Sequence, residues 1–320
     1  MDDRRRRALY AARILIWVVV GGGVVLFAKG LDWDEVFGAF SRANLRLAGL
    51  ALLLGPAALA CQGLRWSQLL RALRKVPHGV AISAMAAGQA ASAFLPMRAG
   101  EALRTELASR ATGLPRAAVL GTVALDATVN ALVMFALAAV LPLLLPVPRW
   151  LAFVFWGGMA LMLIVLGVFL RLAKHPEKVH SSKLQALIAS LRGGLVALKD
   201  PAHVLPAVGF ALLGWMVEIA VGMLALSAFG LAHDVPHAMA VLFGVNLAMA
   251  IPAPPGALGT FELGAGIALV AFGGDKERAT AFAIGYHALQ LLPQLILGGL
   301  LVGRFRRPRR RATDLRPAEA

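Results

Sequence analysis

The feature that most constrains this chain is a series of apolar runs too long for a soluble domain to bury. Runs at 10–28, 45–63, 117–141, 151–171, 203–229 and 279–302 each approach or exceed the roughly 20 residues that a helix needs to cross a bilayer. Across its 320 residues the chain is 59% hydrophobic and 15% charged, where soluble domains carry about half and a quarter. A pair of water-soluble domains is excluded, and the expected fold is an all-α polytopic membrane protein.

Two further stretches, 79–95 and 236–251, are shorter and rich in Gly, Ala and Ser, and each ends in a proline followed by a glycine-containing polar motif. Their topology follows from charge. The net charge of +15 comes from 32 Lys and Arg against 17 Asp and Glu, and basic residues collect in cytoplasmic loops. Were 79–95 a full span, every later loop would invert and the basic loop between Arg171 and Lys199 would face outward. If both stretches instead enter the membrane and return, 24 of the 32 basic residues fall on the cytoplasmic side and 6 outside, with Arg98 and Arg104 inside the first hairpin. The expected architecture is six transmembrane helices plus two re-entrant helical hairpins. A first span (10–28) precedes repeat 1 (45–141, hairpin 79–110), a linking span (151–171) and a basic cytoplasmic loop (172–202). Repeat 2 (203–302, hairpin 236–272) and a basic tail (303–320) follow. Both termini are cytoplasmic, with the first span read as a signal anchor rather than a cleaved leader.

The hairpins read as relatives. Aligning Glu101 with Glu262 pairs Gly113 with Gly274, Ala118 with Ala279 and Asp126 with His287. Since they enter from opposite faces, this is an inverted repeat, an arrangement that in transporters places a site near the midplane. Broken backbone at membrane depth also implies a cavity that satisfies its polar groups.

The residues that could carry chemistry lie in and near these breaks. In FLPMRAGEALR (94–104), Arg98, Glu101 and Arg104 share one helical face. One glutamate cannot neutralise two arginines, so the excess suits a lipid phosphate, which a guanidinium matches in a bidentate way; the alternative is a salt-bridge ladder or arginines snorkelling to the interface. In IPAPPGALGTFE (251–262) the prolines and glycines forbid a continuous helix. Thr260 is the expected N-cap, with Glu262 either favoured by the helix dipole or functional as an acidic group at membrane depth. Thr122, Asp126 and Asn130 form one polar stripe, His287, Gln290 and Gln294 another, and Glu218 stands alone in GWMVEIAVGM. These stripes read as interhelical hydrogen bonding or as a cavity lining, and Asp126, Glu218 and His287 as a possible proton relay. Asp32 and Glu35 have the spacing of a capping box for a short interfacial helix. The single Cys61 excludes a disulfide framework, no histidine spacing suggests a metal site, and no catalytic residue or cofactor is expected. After a span, the C-terminal RFRRPRRR fits anionic lipid at the cytoplasmic face rather than nucleic acid.

The two motifs closely resemble those of the lysylphosphatidylglycerol synthase transmembrane-domain family, flippase-like membrane proteins. The matching residues are Pro96, Arg98, Gly100, Glu101 and Arg104, then Pro252, Pro255, Gly256, Gly259 and Glu262. The resemblance implies movement of an aminoacylated phospholipid between leaflets by a membrane part whose soluble synthase domain is separate and not expected in this chain. Other members resemble partners in glycolipid or isoprenoid-lipid pathways. It also leads to the expectation of an arginine near Asp126 and another at position 287, where this sequence has histidine. The functional expectation is a translocator of an anionic or modified phospholipid, or related lipid-linked substrate, in a bacterial plasma membrane. The alternatives are an enzyme or enzyme subunit acting on a lipid-linked sugar or aminoacyl lipid, and a scaffold that recruits a soluble synthase or glycosyltransferase.

Overall fold

The computed structural model describes residues 21–95, 99–144, 149–174, 200–250 and 254–305. Among these residues the protein is all helical. Residues 21–28 are helical and are followed by α1 (Trp33–Ser41), α2 (Leu45–Arg71), α3 (His78–Phe94), α4 (Gly100–Thr112), α5 (Arg116–Ala138), the single turn α6 (Leu141–Leu144), α7 (Arg149–Lys174) and α8 (Pro201–Ala228). Then come α9 (Val235–Ala248), a 3-10 turn (Pro255–Ala257), α10 (Thr260–Ala271) and α11 (Lys276–Val302). Side-chain caps set several starts: Asp32, Asn44, Asp200, Asp234 and Asp275 each accept a backbone N–H from the first turn that follows.

Four helices, α2, α5, α8 and α11 with its extension to Phe305, are long and apolar enough to cross a membrane. They expose large apolar side chains such as Leu53, Leu205 and Leu300 while burying charged ones, the reverse of a soluble protein. Helix α7 stands where the linking span is expected, with a shorter apolar stretch, Ala152–Val168. Most of the first span, the basic loop and the tail lie outside the described residues. Helix α2 runs eight residues past the expected end of its span at 63, to Arg71, which brings Arg65 into the bundle.

The two glycine-rich stretches form paired short helices. Helices α3, α4, α9 and α10 have 17, 13, 14 and 12 residues, or about 25, 20, 21 and 18 Å at 1.5 Å per residue. All fall short of the roughly 30 Å hydrocarbon core. Both pairs are antiparallel and cross at facing glycines. A Cβ added to Gly100 would lie 1.9 Å from the Gly88 carbonyl oxygen, and one added to Gly264 would lie 2.5 Å from that of Gly244. The crossing is shared but its register is not: Gly100 precedes Glu101 by one residue, whereas Gly264 follows Glu262 by two.

Contacts at the helix ends place the openings of the two pairs. The first opens beside Arg74, which donates to the Thr112 carbonyl at 3.1 Å, and beside Arg304, which reaches Ser83 Oγ at 3.4 Å. The second opens where His237 meets Phe272 edge-on at 6.4 Å, next to Lys276, whose Nζ donates to the Lys29 carbonyl at 3.1 Å. Asn44 N–H donates to the Ala228 carbonyl at 2.8 Å, at the same end as the second opening and opposite to the first. The tips meet: the 3-10 turn packs on α3, and a Cβ at Gly256 would sit 3.3 Å from the Ala93 carbonyl oxygen. A central core around Trp215, Phe229, Phe261, Phe282 and Tyr286 joins α8 to the second pair and α11. A second cluster, with Trp66, Leu70, Met85 and Val119, packs the first pair against α2 and α5.

Candidate functional site

Facing α2, the polar stripe of α5 holds a buried charge network. Arg65 grips the Asp126 carboxylate with Nε at 2.7 Å and Nη2 at 3.3 Å, and donates through Nη1 to Asn130 Oδ1 at 2.6 Å. From the first hairpin, Arg104 Nη1 reaches the same carboxylate at 3.3 Å, while its Nε lies 2.5 Å from Glu101 Oε2. The Arg104 guanidinium also lies 4.9 Å from the Trp66 ring centre, and Trp66 Nε1 donates to Thr122 Oγ1 at 3.1 Å. Arg65, Arg104 and Asp126 are 6%, 4% and 2% exposed. Two cations and two anions balance, so the positive excess expected at this hairpin rests on Arg98, which lies outside the described residues together with Pro96 and Pro252. Arg65 is the residue that sequence reasoning missed. An arginine beside Asp126, absent from its neighbourhood in sequence, is supplied in space from 61 residues earlier in the chain.

At the start of α10 the local chemistry differs by one residue from expectation. The N-cap is Gly259, with φ +78°, and not Thr260, whose Oγ1 is buried without a partner. With no cap side chain available, Glu262 reaches back and accepts the Gly259 N–H at 2.8 Å. Its other oxygen accepts from His287 Nδ1 at 2.7 Å, and Phe261 stacks on that imidazole at 4.3 Å. Glu262 thereby caps a helix and joins the second hairpin to α11.

Between these two polar groups lies a cavity of about 540 Å³, lined from α2, α3, α5, α8, α9, α10 and α11 and from both hairpin tips. Asn130, Glu218, His287 and Gln290 are among its lining residues, together with Arg65 and Gly256. Asp126 stands behind Arg65, while Glu101, Arg104, Gly100, Pro255, Gly259 and Glu262 support the walls without being among the lining residues. Glu218 accepts from Gln290 Nε2 at 2.6 Å, and the same amide donates to Tyr286 Oη at 2.9 Å. Asp126, Glu218 and His287 thus belong to three separate groups, and no hydrogen bond among the described residues joins them into a relay. Two buried lining atoms have no partner, Trp215 Nε1 and Gln89 Oε1. The cavity therefore presents a guanidinium, a carboxyl, a free donor and a free acceptor. No group of three His, Cys, Asp or Glu suited to a metal ion occurs among the described residues.

Where the first hairpin opens, Glu106 pairs with Arg110 and Arg116, both at 2.5 Å. Hydrogen bonds from Arg116 and then Arg110 hold its carboxyl below the usual range. This cluster ties α4 to α5 where the first helix pair opens.

Residues 14–298 match the family model described as Lysylphosphatidylglycerol synthase TM region. No curated protein matches the chain.

Proposed function

We propose, from the premise that the chain belongs to the Lysylphosphatidylglycerol synthase TM region family, that this integral membrane protein is a translocator of phospholipid or a related lipid-linked substrate. The observation that carries the reading is the polar cavity bounded by two hairpin tips whose helices open toward opposite ends of the bundle. Such a cavity can accept a polar head group while acyl chains stay in the lipid, and loosening one hairpin or the other exposes it to one leaflet at a time. The inverted repeat with two re-entrant hairpins is part of this proposal.

Within it, Arg65 is the guanidinium that reaches the cavity and is the group to meet a phosphate there, held rigid by Asp126. Arg98 and Arg104 serve head-group entry along the first hairpin, with Glu101 orienting Arg104. Glu262 acts from the second hairpin through His287. Anionic lipid at the cytoplasmic face is the partner of the basic loop and tail.

The test is a leaflet-resolved assay of fluorescent phospholipid movement in proteoliposomes. Arg65→Ala, Arg98→Ala and Glu262→Ala should each slow movement by about tenfold or more, equivalent to about 1.4 kcal/mol of lost interaction. Unchanged rates in all three variants would sink the site assignment, and a covalently altered lipid in mass spectra would favour an enzyme instead.

A further inference from the structure

One carboxyl that lines the cavity has no ion-pair partner among the described residues. Arg65 is matched by Asp126, Arg104 by Glu101, and Glu262 meets His287. Glu218, in the middle of α8, accepts a hydrogen bond from the Gln290 amide at 2.6 Å, and among the described residues no Lys, Arg or His forms an ion pair with it. The titratable and charged groups that face it are Cys61 and Arg65 from α2 and Tyr286 and His287 from α11, while α5 and α9 contribute the neutral Asn130 and Asn246. Of these only Arg65 is a permanent cation, and two of its nitrogens are held by Asp126. A carboxylate at membrane depth without a partner is strongly disfavoured, so an unpaired Glu218 carries a proton.

A second observation points to a ligand at the same place. Trp215 lies one turn before Glu218 on α8, is 7% exposed, lines the cavity, and leaves its indole Nε1–H without an acceptor. Buried donors are rarely left so. An N–H seeking an acceptor and a carboxyl seeking a cation, side by side on one helix, fit a cation that keeps a water in its shell, the cation against the carboxylate and the water oxygen accepting from the indole.

We infer that Glu218 is a proton–cation exchange site: it holds a proton while the cavity lacks a cation, and releases it when a monovalent cation, an alkali ion or an ammonium group, docks against the carboxylate. The exchange balances. The O–H bond of the neutral carboxyl breaks, its proton leaves to water in the cavity, the cation takes its place, and the net charge at the site is unchanged. No charge is then stranded in either state, and a proton gradient becomes coupled to occupancy of the cavity. That coupling rests on the translocator reading, whereas the exchange itself does not.

The experiment uses the full chain in liposomes with a hydrophobic carbodiimide, which modifies protonated carboxyls, followed by peptide mass spectrometry. Sodium chloride and methylammonium chloride are the probes, and N-methylglucamine chloride at equal ionic strength is the reference. Glu218 should be modified in the reference salt and protected by about tenfold in one or both probe salts. Protection by sodium identifies an alkali ion, and protection by methylammonium alone identifies an amine. Infrared difference spectra give the same readout without reagent access: a protonated-carboxyl band lost on adding the probe, and absent from Glu218→Gln. Equal modification in all three salts, or no such band in the native chain, overturns the inference. Exchange without lipid movement would leave it standing and refute translocation; lipid movement unchanged in Glu218→Gln, with no exchange, would do the reverse.

Discussion

Replacing Asp126 with asparagine removes the one carboxylate shared by two buried guanidiniums. At 2.7 Å from Arg65 and 3.3 Å from Arg104, its attractions are each about 5 to 6 kcal/mol at an effective dielectric of about 20. Most of that offsets the cost of desolvating the three groups. Partial compensation also survives the substitution, because Arg65 keeps Asn130 while Arg104 keeps Glu101 and the Trp66 face. The net loss expected is about 3 to 5 kcal/mol, the range for breaking a buried pair by removing one partner. It is read as a lower midpoint of thermal unfolding in detergent, in a Cys61→Ala background to prevent cross-linking. The double variant Arg65→Met with Asp126→Leu removes both charges and should recover most of the loss, since an apolar pair of similar volume costs little. A loss below about 1 kcal/mol in Asp126→Asn, or strict additivity of the two single changes, would refute the claim that these charges hold one another in the bundle.

Three further outcomes follow from the geometry. Gly100→Ala and Gly264→Ala place a Cβ within 1.9 and 2.5 Å of a facing carbonyl, so each should destabilise by about 1 to 3 kcal/mol, seen as a lower unfolding midpoint and lost lipid movement. Ala257 has φ +57°; Ala257→Gly should raise stability by about 0.5 kcal/mol, the left-handed strain relieved less the extra unfolded-state entropy of glycine, and a lower midpoint would contradict that backbone. Because its arginines depress the Glu106 carboxyl, the pairing stabilises the fold above the ordinary glutamate value of about 4.3 and is lost as pH falls through the lower folded value. Glu106→Gln should therefore unfold more easily than the native chain at neutral pH and match it in strong acid.

Two cysteines, one replacing Arg110 and one replacing Arg278, test the topology. Both sites are exposed, and labelling by a membrane-impermeant maleimide should place them on opposite sides of the membrane. The same side for both would overturn the inverted arrangement of the hairpins.

What could be read from the chain alone had a local cause. Long apolar windows, prolines at the breaks, and clusters of Lys and Arg each change the free energy of a short segment in lipid or water. Four of the expected spans, the helix interruption before α10 and end-caps such as Asp32 were therefore legible. Arg65 was not, because a span ends on a hydropathy criterion wherever a charge appears, and Arg65 lies two residues past the expected end at 63 in a helix that continues to Arg71. The shift from Thr260 to Gly259 at the α10 cap came from a backbone bend with φ +78° that favours glycine and moves the helix start by one position. Likewise the Glu101 and Glu262 alignment did not carry the register of the two glycine crossings, at Gly100 and Gly264, because that register is set by contact between helices.

By itself the sequence determined that this is a helical membrane protein with two broken, charged segments, since the solvent acts on each segment separately. Only the tertiary structure decided that Asp126 belongs to Arg65 and Glu262 to His287, and that Glu218 has no ion-pair partner among the described residues. Pairing depends on side-chain direction between helices far apart in sequence, and a charge left over can be recognised only when every neighbour has been placed.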